Sequence, residues 1–127
     1  MKPSAIPVIG LIVPPSGGEV PEDGPLLYGE RVHFVARGLG IAAVSPAGFN
    51  PVIDTVLDKA RELRDAGAQT ISLMGTSISF YRGAAFTEDL RAAMQEATGL
   101  PCTTMSHAIV AALRELGVQR VAVATSY

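Results

Sequence analysis

The sequence has 127 residues, 48% hydrophobic and 17% charged, with 13 Gly, 9 Pro and one Cys. That length holds one domain, here spanning residues 1–127, with a continuous core, and the apolar content excludes a disordered chain. Ten basic against twelve acidic residues give a net charge of −2, which excludes electrostatic capture of nucleic acid. Mean hydropathy is +0.32, high for a small soluble domain, yet no apolar run approaches the ~20 residues of a membrane span. Residues 5–13 look like a short signal-peptide core, but proline breaks the run and no small-residue cleavage site follows. One Cys forms no internal disulfide, and with two His it builds no zinc site at normal spacing, so a reducing, cytoplasmic location is expected. The surplus of apolar residues calls for a second domain or a partner chain.

Residues 6–13 form a continuous apolar run ended by Pro14-Pro15, the pattern of a strand buried on both faces. Residues 16–25, rich in Gly, Pro and acid, predict a loop, with Glu19, Glu22 and Asp23 solvated. Residues 32–36 predict a second strand containing His33 in a packing role. Asn50-Pro51 predicts a helix start, with Asn50 as N-cap and an apolar face of Val52, Ile53, Val56, Leu57, Ala60 and Leu63 ending at Gly67. Residues 70–74 predict a third strand, and residues 87–98 a helix capped by Thr87. Residues 101–105 predict a fourth strand, in which Cys102 reads as a small buried hydrophobe. Ser106 is expected to cap a helix burying Ile109, Ala112, Leu113 and Leu116, with His107 beside the cap. Residues 118–125 predict a fifth strand. Strand–helix alternation of this kind predicts an α/β fold, a flavodoxin-like, doubly wound parallel sheet in the order 2-1-3-4-5 with helices on both faces. The chain ends at Tyr127 just past an apolar strand, as the first half of a larger unit would.

In such sheets ligands gather beyond the carboxyl ends of the strands. The candidate loops are therefore residues 14–18, 38–49, 75–77, 106–107 and 125–127. Gly75-Thr76-Ser77 carries the most information, because glycine lets the backbone approach a ligand and the amides and hydroxyls behind it can point at one anion. Capping of a segment starting near Ile78 explains the same residues, and both readings stand. Gly17-Gly18 lacks the spacing of a nucleotide-binding loop.

Longer strings narrow the choice. Pro14-Pro15 after the first strand, the run from Ser72 to Phe86 (SLMGTSISFYRGAAF) and the run from Glu96 to Ser106 (EATGLPCTTMS) resemble the arylmalonate decarboxylase family, over Ile9 to Tyr127. That family lies within the aspartate/glutamate racemase superfamily, with maleate isomerase and hydantoin racemase. The resemblance implies two similar α/β domains facing each other across a cleft, of which this chain is the amino-terminal one. It implies cofactor-independent decarboxylation of α-aryl malonates to arylpropionate-type acids, without a metal. Thr76, Ser77 and Tyr127 would donate to the retained carboxylate in a dioxyanion hole. Ile41, Val44 and Ile78 would line an apolar pocket for the departing one, and Pro14, Pro15, Phe49 and Gly75 would shape the rest of the substrate site. Gly75 stands where racemases carry a cysteine, Phe49 where the decarboxylase pattern has tyrosine, and Ile41 and Ile78 where it has leucine. The proton-donating cysteine would come from the missing carboxyl-terminal domain or a partner chain, since Cys102 matches a non-catalytic position. A racemase or isomerase of small dicarboxylates, and a non-catalytic carboxylate-binding or assembly module, are the alternatives.

Overall fold

Strand β1 (Val8–Val13) lies inside the sheet. It pairs in parallel with β2 (His33–Gly38) on one edge and β3 (Thr70–Leu73) on the other, and β3 pairs with β4 (Cys102–Thr104). The structure, a computed structural model, describes residues 6–125. Its four-stranded parallel sheet runs β2-β1-β3-β4 and is flanked by helices, the α/β class expected. In register, Val13 lies opposite Gly38, Ile12 opposite Leu73, and Leu73 opposite Thr104, so the loops after all four strands leave from one end.

Successive residues of β1 serve opposite faces. Ile12 joins the larger core with Ile71 and Leu73, and Leu11 and Val13 join a smaller one with Ala36. The larger core is closed by α3 (Val56–Asp65) and α5 (Ala84–Thr98), which bring Val56, Ala60, Leu63, Leu90 and Met94 onto the sheet. Gly10 permits that approach, because a Cβ there would lie 3.1 Å from the Cβ atoms of Leu63 and Ala68.

Several boundaries differ from expectation. The 16–25 loop gives way at Asp23 to α1 (Asp23–Tyr28), which is followed by a 3-10 turn (Gly29–Arg31). Asn50 is not an N-cap. Helix α2 (Pro46–Ile53) starts one Ser-Pro pair earlier, with the Ser45 hydroxyl accepting from the Gly48 N–H, and Pro51 lies inside it. Proline has no N–H to give the preceding turn, and the helix breaks at Asp54–Thr55 before α3 begins. Thr87 is not a cap either. Helix α5 opens at Ala84 behind Gly83, and the buried Thr87 hydroxyl is shared between the Ser79 and Gly83 carbonyls. Helix α6 (Met105–Glu115) is capped by Thr104 rather than Ser106, its hydroxyl accepting from the His107 N–H. A short helix, α4 (Thr76–Phe80), stands near the segment that Thr76 and Ser77 are expected to cap, but it starts at Thr76 itself, behind Gly75.

The largest correction concerns residues 118–125, which form no strand and remain exposed, Val123 at 79%. The three residues of β4 offer few ladder bonds, whereas ordering each residue costs about 1–2 kcal/mol. The face of α6 expected to be buried is accordingly open, with Ile109 at 45% and Leu116 at 76% exposure. No helix among the described residues is long and apolar enough to cross a membrane.

Leu63 is fully buried under the sheet and Leu26 of α1 is 82% exposed. Urea unfolding should show Leu63→Ala losing about 2–5 kcal/mol, against a change within about 0.5 kcal/mol for Leu26→Ala.

Candidate functional site

The strand-end loops are hung on the sheet by backbone hydrogen bonds. The Leu39 N–H donates to the Val13 carbonyl at 2.9 Å, the Ile41 N–H to Pro14 at 3.0 Å, and the Met74 N–H to Ile12 at 2.8 Å. Pro14, Ile41 and Gly75 are thereby held at one end of adjacent strands. Gly75 has φ +98°, a region L-residues avoid, and is the residue from which α4 starts. A Cβ on Gly75 would lie 3.1 Å from Pro14 Cγ and 3.2 Å from Ile78 Cγ2, so Pro14, Gly75 and Ile78 form one tight cluster.

Thr76 and Ser77 occupy the first turn of α4, half-buried, where helix amides lack intrahelical acceptors. The Ser77 hydroxyl makes no hydrogen bond to another described side chain or carbonyl. Thr76 faces a cleft of about 620 Å³ between α4 and α6, walled by Phe80, Ile109, Val110 and residues 123–125, with Ser106 also on its lining. Below the turn, the Ser79 hydroxyl donates to the Thr76 carbonyl at 2.8 Å and is hydrogen-bonded to Ser106.

The other expected residues divide. Ile41 is half-buried and packs on the larger core. Ile78 and Phe49 are buried within it, at 1% and 3% exposure, and Phe49 meets the Tyr81 ring edge-on at 5.0 Å between centroids. Pro15 and Val44 are exposed, Val44 at 62%. Tyr127 lies outside the described residues. Sequence reasoning passed over the Ser79–Ser106 pair. Ser79 follows Thr76 by three residues, the spacing of one helical turn, but its partner is 27 residues away and no local pattern announces it.

Asn50, freed of a capping role, accepts hydrogen bonds through Oδ1 from the Tyr81 hydroxyl at 2.9 Å and from Arg82 at 2.8 Å. His107 sits in the first turn of α6, with Nδ1 3.0 Å from the Thr104 hydroxyl and Nε2 2.9 Å from Glu88. The hydrogen bond from Arg91, ahead of the His107 contact, holds the Glu88 carboxyl below the usual range. Burial pushes the Cys102 thiol up, against smaller opposing effects from Thr98 and Arg91. Among the described residues no three His, Cys, Asp or Glu side chains gather as metal ligands.

The sequence profile of the family called arylmalonate decarboxylase matches residues 9–127. The chain belongs to the arylmalonate decarboxylase family. It is 57% identical over 127 residues to the arylmalonate decarboxylase of Bordetella bronchiseptica, covering 100% of this chain and 52% of that protein. Among solved structures, a glycine-to-cysteine, cysteine-to-serine double mutant of arylmalonate decarboxylase in the liganded form superposes with a TM-score of 0.91 at 56% identity, over 95% of this chain and 51% of the other. Unliganded arylmalonate decarboxylase superposes with a TM-score of 0.83, also at 56% identity, over 95% and 50%. The chain thus spans about half the length of the arylmalonate decarboxylases it matches.

A buried thiol with a raised pKa presents little thiolate. Cys102 should therefore react with iodoacetamide at pH 8 at least about tenfold more slowly in the folded protein than in urea, followed by mass spectrometry.

Proposed function

We propose that this domain supplies the anion-holding side of a cofactor-independent decarboxylase acting on α-aryl malonates. The observation that carries the reading is the Gly75-Thr76-Ser77 turn. It stands at the carboxyl end of the sheet, packed on Pro14 and Ile78, in a chain of the arylmalonate decarboxylase family.

One malonate carboxylate is retained by hydroxyl and amide donors of Thr76 and Ser77, with the Tyr127 hydroxyl as a third donor. The other is pressed against the apolar side formed by Ile41 and Val44 and backed by buried Ile78, while Pro14 and Gly75 shape the aryl side. An ionised carboxylate deprived of water is raised in energy, whereas neutral carbon dioxide is not, so an apolar wall favours departure. The bond from the α-carbon to the departing carboxylate breaks, and carbon dioxide leaves. The electron pair stays on the α-carbon and spreads into the retained carboxylate as an enediolate, where fixed donors stabilise it most. The aryl group shares the charge. A thiol proton then forms the new C–H bond on one face, and the resulting thiolate is reprotonated from solvent.

Cys102 does not serve as that acid. It is buried in β4, with its Sγ 3.4 Å from the Leu100 carbonyl. The cysteine comes instead from a second, carboxyl-terminal domain or a partner chain facing this one, the arrangement for which the half-length match leaves room. Phe49, interlocked with Tyr81, acts by supporting the apolar side rather than by offering a hydroxyl. One observation favours a second reading, an assembly or carboxylate-binding module without turnover: the apolar face of α6 is open. A racemase or isomerase reading has less support, because Gly75 offers no thiol.

The complete gene product should release carbon dioxide from phenylmalonate and form no fumarate from maleate. Thr76→Ala should cut kcat roughly a hundred- to a thousand-fold, the usual cost of one oxyanion donor. Fumarate formation, or binding of phenylmalonate without turnover, would reject the decarboxylase reading.

A further inference from the structure

Helix α4 has only five residues, too few to hold its own shape in water. Its position comes from neighbours, through side-chain hydroxyls. The Ser79 hydroxyl is fully buried and gives its single proton to the Thr76 carbonyl at 2.8 Å. With that proton committed, Ser106 in the first turn of α6 is the donor in the Ser79–Ser106 hydrogen bond. The Ser79 carbonyl in turn accepts from the Thr87 hydroxyl of α5. The turn that carries Thr76 and Ser77 is thus fastened to β4–α6 on one side and to α5 on the other.

The Thr76 carbonyl shares one rigid peptide plane with the Ser77 N–H. Whatever holds that oxygen also sets the direction of the Ser77 amide and the positions of both flanking Cα atoms. We infer that Ser79 and Ser106 are positioning residues that aim the Thr76 and Ser77 donors without themselves touching the reacting carbon. This rests on the reading that Thr76 and Ser77 hold the retained carboxylate. The relay works as a unit: without Ser106 the Ser79 hydroxyl loses its buried donor, and without Ser79 the Ser106 hydroxyl no longer reaches the turn.

The test uses the complete gene product and phenylmalonate, comparing wild type with Ser79→Ala, Ser106→Ala, the double variant and Ser106→Thr. Each single alanine variant should lower kcat roughly ten- to a hundred-fold with a smaller change in KM, as expected when donors are displaced by a fraction of an ångström. The double variant should fall within about twofold of the worse single one, because a relay is lost only once. Ser106→Thr, which restores the hydroxyl, should recover most of the rate. Folded alanine variants with wild-type kcat would overturn the inference, as would a loss confined to KM or single losses that multiply in the double variant. If Ser79→Ala does not fold, Ser106→Ala and its threonine counterpart decide alone, since Ser106 is only half-buried. A wild-type protein that releases no carbon dioxide rejects the decarboxylase reading and this inference with it. An active wild type with unaffected variants rejects the inference alone.

Discussion

Strand β1 is the member on which the domain depends, being paired along both edges and packed on both faces. Gly10 lets α3 settle close above it, and the carbonyls of Ile12, Val13 and Pro14, at and just past its end, receive N–H groups from two loops, those after β2 and β3. A change that shifted β1 by one residue would exchange its two faces, placing Ile12 where Leu11 belongs. The site inherits its precision from the same strand, because Pro14 is the first residue past its end and packs beneath Gly75.

What was legible in the sequence follows the range over which each signal acts. The apolar run of β1 is local and strong, and the strand formed within it, whereas the single helix expected from Asn50 to Gly67 kept its apolar face but is broken at Asp54–Thr55 into α2 and α3. Caps were misplaced where two equivalent signals compete. Ser45-Pro46 and Asn50-Pro51 carry the same chemistry, and the first took the cap while Asn50 turned to Tyr81 and Arg82. Thr87 has the right residue type for a cap but was drawn inward by the Ser79 carbonyl. Helix α4 was signalled only by its capping residue types, and its bounds were not legible because five residues carry no period. Residues 118–125 have the alternation of a strand, but a strand needs a neighbour as well as a pattern, and three-residue β4 is a poor one. Of the candidate site residues, Pro14, Gly75 and Ile78 lie against one another, whereas Val44 stands exposed.

The polar side of the site is built from neutral groups. Threonine and serine hydroxyls, carbonyls and amides lie about the Gly75 turn, while the ion pairs among the described residues lie elsewhere, on α3, between Arg37 of β2 and Glu62, and between Glu88, Arg91 and His107. A neutral donor set suits a substrate whose charge must move rather than be trapped. Under the proposed function, a lysine or arginine would bind both carboxylates of a dianion and resist the loss of either, whereas hydroxyls and amides would strengthen their hold as charge gathered on the retained oxygens.

The pairing of β1 also governs the order in which the chain can assemble. Its two edges wait for β2, some twenty residues on, and for β3, nearly sixty residues on. At the usual pace of synthesis β3 follows β1 by roughly 3 to 12 seconds. Through that interval a wholly apolar strand has one open edge and an uncovered face. Parallel sheets built from such distant pairings fold slowly, so the nascent chain presents its stickiest segment first and longest, an inviting target for a chaperone during translation.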